Sequence, residues 1–141
     1  MTLPTVEDMI PHRGRLKLLE RVVETSRTCG VSWCRVRPWW PLFREGAVHA
    51  LLSVELIAQT TGLLTAWGEP KDRDGRSVGL LVGIKEASFS REFFPEGLEI
   101  VARVDGPDKL TNYGVFEGRL TAGDEPLARV LLQIFRLEPE A

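Results

Sequence analysis

The chain has 141 residues, a length that suits one domain over residues 1–141 with a sizeable core and leaves no room for two. With 43% hydrophobic residues, 27% charged residues and a formal net charge of −2, it has the composition of an ordinary globular protein and no electrostatic attraction for nucleic acid or an anionic membrane. The two cysteines, Cys29 and Cys34, form neither a disulfide framework nor a CxxC metal or redox motif, and read as inert core thiols.

The acidic amino terminus lacks the uninterrupted apolar run of a signal peptide, which makes the cytoplasm the expected address. Residues 16–24, rich in branched apolar side chains, and residues 30–37, of strand length and mixed alternation, are expected to be strands. Pro38 and Pro41 close the second of these and open a loop. Its cluster of Trp39, Trp40, Leu42 and Phe43 is an apolar surface suited to lining a tunnel for an apolar ligand or meeting another subunit.

Residues 48–67 are the most apolar stretch, yet they carry His49, Glu55, Gln59, Thr60 and Thr61, which argues for a buried helix rather than a membrane span. Apolar residues fall on every side of its helical wheel, so the helix is expected to be enclosed by protein, and Gly68, Glu69 and Pro70 to end it. Four further strands, at 77–89, 98–104, 113–121 and 127–137, are separated by turn residues at 95–97, 106–108 and 123–125. One central helix among many strands predicts an α+β fold, an antiparallel sheet curled around the helix.

Glu55 is the outstanding polar residue, because a carboxylate within an apolar helix is costly and is the kind of group active sites retain. The plain alternative is a structural ion pair with Arg13 or Arg21. Gln59, one turn on along the same face, either orients the Glu55 carboxyl or is a satisfied core amide. His49 either shares a cavity with Glu55 or caps the start of the helix. Gly83 marks a close approach to a neighbouring backbone or ligand, or a strand bulge. No metal-ligand spacing and no Gly-rich phosphate loop occur, so neither metal nor cofactor is expected.

Three segments in order carry a resemblance. Ile10, Pro11, His12 and Arg13, followed by Leu18, Leu19, Glu20, Arg21 and Val22, resemble the opening motif and first strand of the 3-hydroxyacyl-[acyl-carrier-protein] dehydratases, with Glu20 where that family has aspartate. Val54, Glu55, Leu56, Ile57, Ala58 and Gln59 are similar to the family's helix signature. Leu81 to Lys85, with Ala87, Phe89, Pro95 and Gly97, are similar to its glycine-isoleucine strand and proline-glycine turn. The similarity is greatest to the predicted dehydratases of aryl-polyene-type clusters.

The resemblance implies a hot-dog fold, an active site at a homodimer interface, and dehydration or hydration of 3-hydroxyacyl or enoyl thioesters of acyl carrier protein or coenzyme A, in fatty-acid-like or polyene biosynthesis. A carboxyl shielded by an apolar helix suits the proton donor, and a histidine the acceptor. The family's histidine lies fourteen positions before the glutamate, where this chain has Pro41, so His49 is the candidate replacement. Ala50 stands where the family has a glycine whose amide polarises the thioester carbonyl, while His12 belongs to a motif whose histidine is not the catalytic base and is expected to be structural. Two other outcomes remain open. One is thioester hydrolysis, with Glu55 activating water and the Ala50 amide receiving the oxyanion. The other is a catalytically reduced hot-dog subunit that binds acyl chains or pairs with an active paralogue.

Overall fold

The computed structural model describes residues 2–65, 78–107 and 113–137. A one-turn helix, α1 (Val6–Met9), opens the chain with a reciprocal cap, in which Asp8 N–H donates to the Thr5 hydroxyl and Thr5 N–H to the Asp8 carboxylate. A 3-10 turn (Gly14–Leu16) leads to β1 (Arg21–Thr25) and β2 (Cys29–Arg35). Two short strands, β3 (Phe43–Arg44) and β4 (Ala47–His49), precede α2 (Leu52–Thr61). The chain then runs through β5 (Val78–Phe89), β6 (Phe93–Pro95), β7 (Glu99–Asp105), β8 (Tyr113–Ala122) and β9 (Glu125–Leu137).

Six strands form one antiparallel sheet in the order β1-β2-β7-β8-β9-β5, and β3-β4-β6 form a second, smaller one. Alternation sets the inner face of the large sheet. Ile100, Ala102 and Val104 on β7, Phe116 and Leu120 on β8, and Val130, Leu132 and Ile134 on β9 are all buried. The sheet wraps α2, whose Leu56 and Ile57 are fully buried. Two glycines permit the close approach: a Cβ at Gly118 would lie 2.1 Å from Ile57 Cγ2, and one at Gly30 would lie 2.9 Å from Leu63 Cβ. A buried hydrogen bond of 2.9 Å between Ser32 Oγ and Thr60 Oγ1 pins β2 to the same helix. This is the expected α+β hot-dog arrangement.

Three expectations are corrected. The apolar stretch from Val48 is not helical at its start, because Val48 and His49 pair with Phe94 and Phe93 in β4 and the helix begins at Leu52. Within the described residues α2 closes at Gly62, where the Thr60 and Thr61 hydroxyls turn back onto the carbonyls of Leu56 and Ala58; the expected end at 68–70 lies outside them. The segment read as a loop after β2 contains β3 and β4, folded through Leu42 at φ 62° and Glu45 at φ 52°, a left-handed backbone uncommon for residues that carry a side chain. Of its apolar cluster, Trp40 is buried while Trp39 and Leu42 are exposed.

A further correction bears on the site. Along α2, Val54, Glu55 and Ala58 are only half-buried, and Leu51 just before them is exposed, so one stripe of the helix stays open rather than enclosed. No helix among the described residues is long and apolar enough to cross a membrane.

Candidate active site

Glu55 projects from the open stripe of α2, with 44% of its side chain accessible, so the burial expected of it is not supplied by this chain alone. Gln59, one helical turn on and 1% exposed, donates from Nε2 to Glu55 Oε1 at 2.9 Å. The same amide donates to the Leu16 carbonyl at 2.6 Å, and its Oε1 accepts the Leu18 amide at 3.0 Å. Gln59 is thus both a satisfied core amide and the group that orients Glu55. Every hydrogen bond it makes is to a protein group, which gives it a positioning role rather than a contact with substrate.

The expected arginine partners of Glu55 are occupied elsewhere. Arg13 donates to the carbonyls of Glu7, Ile10 and His12, stitching the turn between α1 and the 3-10 turn, and the Arg21 guanidinium lies 4.7 Å above the Trp33 ring. The group at ion-pair distance is His12, whose Nε2 is 3.6 Å from Glu55 Oε1. Sequence reading assigned His12 a structural part, and no residue spacing places it beside Glu55. Only the packing of residues 10–18 along α2 does so.

His49 sits at the end of β4 with its ring edge-on to Phe93 at 5.3 Å. Its Nδ1 accepts the Leu51 amide at 3.0 Å, which leaves the ring proton on Nε2, 3.8 Å from Glu92. The lone pair a proton acceptor needs is therefore engaged in capping the turn before the helix. The amide of Ala50 is engaged as well, donating to the Glu92 carbonyl at 2.8 Å, so it is not free to receive an oxyanion as expected. At the head of α2 the first helical amide is that of Leu52, one of the donors a helix leaves without an intrahelical acceptor. Pro41 is exposed and has no group that transfers a proton.

Gly83 lies in β5 at a register shift against β9, and a Cβ there would meet the Gln133 amide oxygen at 2.4 Å. That contact is the flexible end of a protein side chain, and the glycine stands at the strand bulge that the sequence allowed. Both thiols are buried; burial, reinforced by the hydrogen bond to Glu24, pushes Cys29 up to about 11, and burial raises Cys34 further, so neither is a nucleophile near neutral pH. Among the described residues no cluster of His, Cys, Asp or Glu could hold a metal ion. The arrangement offers one oriented, accessible carboxylate flanked by an imidazole, on an apolar strip beside a helix amino terminus.

Comparison with known proteins gives a consistent picture. The ApeP-like family, described as ApeP dehydratase, matches residues 4–141. No curated protein matches the sequence. Among solved structures, the dehydratase heterocomplex ApeI:P from Xenorhabdus doucetiae is similar with a TM-score of 0.83 at 20% identity, over 99% of this chain and 93% of that one. A hypothetical thioesterase protein with coenzyme A from Streptococcus pneumoniae TIGR4 has a TM-score of 0.65 at 11% identity, over 86% of this chain and 88% of that one. A Streptococcus mutans UA159 protein bound to acetyl CoA has a TM-score of 0.64 at 12% identity, over 85% and 90%. At these identities the structural likenesses establish the fold.

Proposed function

Because the chain belongs to the ApeP-like dehydratase family, we propose that it supplies the Glu55-bearing half of a hot-dog dehydratase acting on 3-hydroxyacyl thioesters in polyene biosynthesis. The observation that carries this reading is the Glu55 carboxyl, oriented by Gln59 on a helical stripe of Leu51, Val54 and Ala58 that a single chain leaves open. An acyl chain and a second hot-dog subunit together would cover that stripe and exclude water from the reacting atoms.

In the reaction, Glu55 gives a proton to the 3-hydroxyl as its C–O bond breaks, and water leaves. The proton on the carbon next to the thioester carbonyl goes to a base, and the electron pair of that C–H bond becomes the new double bond. The Leu52 amide, at the positive end of the helix, is the donor suited to the enolate-like oxygen. His49 has its Nδ1 engaged by the Leu51 amide and His12 has its Nδ1 buried, so the base is assigned to the second subunit, either another copy or a paralogue. The heterocomplex of the Xenorhabdus relative makes a paralogue the first partner to test.

The test is ultraviolet absorbance of a short trans-2-enoyl thioester, with thiol release followed on the same samples. Hydration should appear once the chain is assembled with its hot-dog partner, and Glu55→Gln should slow it by about a hundred- to ten-thousand-fold. An unchanged rate in Glu55→Gln sinks the assignment. Thiol release without loss of the enoyl signal would turn the reading to thioester hydrolysis.

A further inference from the structure

We propose that His12 is a positioning residue for Glu55: together with Gln59 it holds carboxylate oxygen Oε1, leaving Oε2 as the atom that meets substrate. The proposal rests on the reading of Glu55 as the reacting group. His12 Nε2 lies 3.6 Å from Oε1, and Gln59 Nε2 donates to that same oxygen at 2.9 Å. One hydrogen bond, from Gln59, and one close polar contact, from His12, therefore converge on a single oxygen of a side chain that keeps 44% of its surface accessible.

The protonation geometry of His12 agrees. Its Nδ1 is buried and has no hydrogen-bond partner, and a buried N–H without an acceptor is rarer and costlier than an acceptor left unfilled. The neutral ring is therefore best accommodated with its proton on Nε2, directed at Glu55. In that tautomer the only lone pair is on a buried atom, which makes His12 unsuited to abstract a proton and suited to steer a carboxylate.

Three sets of contacts fix the backbone that carries the ring. Arg13 clamps the backbone up to and including His12, donating to His12 O at 2.8 Å, Ile10 O at 2.7 Å and Glu7 O at 2.8 Å. Ile10 packs into the end of α2, its Cγ2 lying 2.7 Å from where a Gly62 Cβ would be. Gln59 binds both Leu16 O and Leu18 N–H downstream of the ring. Residues 10–18 are thus tied to α2 at each end of the span that carries His12, so the backbone from which it reaches Glu55 is fixed relative to the helix.

The chain contains only two histidines, which makes the test direct. Nitrogen-15 spectra of the histidine rings, assigned with His49→Gln, should show His12 fixed in the Nε2–H tautomer, and Glu55→Gln should shift the His12 signals. A His12 ring that samples both tautomers like a free peptide, or that ignores Glu55→Gln, overturns the proposal whether or not the protein is active. In the assembled enzyme, His12→Leu should lower kcat by about ten- to a hundredfold with little change in KM, the cost of a misdirected reacting group. His12→Gln, which restores a donor near the Nε2 position, should recover most of that loss. Circular dichroism of both variants separates misfolding from misdirection. Equal kcat in the Leu and Gln variants, both folded, would overturn the proposal. An inert wild-type assembly would instead remove the dehydratase reading, while the spectra still decide whether His12 holds Glu55.

Discussion

The chemistry of this chain converges on one oxygen atom, Oε1 of Glu55, and Gln59 is the residue that connects it to the fold. A single amide orients the carboxylate, accepts the Leu18 amide and caps the Leu16 carbonyl. Replacing it by leucine keeps the volume and removes all three bonds. Gln59→Leu is expected to destabilise the protein by about 1–3 kcal/mol, mainly through the buried Leu18 N–H, since the Leu16 carbonyl can turn to water. The same variant should lower kcat in the assembled enzyme. Urea unfolding read beside the rate checks both, and a variant of wild-type stability would show that another group satisfies Leu18. The role of Gln59 was open in the sequence as two alternatives, and the structure joins them. That of His12 was hidden, because the contact depends on where a loop lies against a helix and not on any spacing along the chain.

Among the elements, α2 and the strands beneath it set the site's depth. Gly30 on β2 and Gly118 on β8 let the helix settle onto the sheet, and Ile57 occupies the space a side chain at 118 would need. Gly118→Ala therefore overpacks the core and is expected to cost about 1–3 kcal/mol, seen as a lower urea midpoint with an unchanged slope. Adding Ile57→Ala should make the second substitution cost less than it does in wild type, as expected of neighbours sharing one space. Strict additivity would mean that the helix rides elsewhere on the sheet. Strand positions were legible because alternation on β7 and β8 repeats every two residues. The start of α2 was not, since Val48 and His49 have no local feature that separates a short strand from a first helical turn.

At the scale of the whole molecule, the two edges of the large sheet differ in character. On β1 the exposed residues include the charged Arg21 and Glu24. On β5 the apolar Leu81, Val82 and Ile84 are exposed, ahead of the charged Lys85 and Glu86. An apolar strand with one unpaired side is a template for pairing, and a lysine on such an edge is the usual means of blocking it. Val82→Lys is expected to weaken subunit association by about tenfold or more without changing the circular dichroism spectrum. Analytical ultracentrifugation of the chain, alone and with its hot-dog partner, would check this. Undiminished association would place the interface on another surface, such as the open stripe of α2.

The sequence by itself determined the α+β class, the large-sheet strands and the candidacy of Glu55, because periodicity and the cost of an embedded carboxylate are local properties. The motifs around His12, Glu55 and Gly83 pointed to the dehydratase family that residues 4–141 match. Tertiary structure alone decided which groups meet. It engaged the lone pair of His49 with Leu51 and the amide of Ala50 with Glu92, spent Arg13 on three carbonyls, and brought His12 to Glu55. Hydrogen bonds extend over about 3 Å in space and any distance along the chain, so these partnerships had to await the packing of the amino-terminal segment against α2.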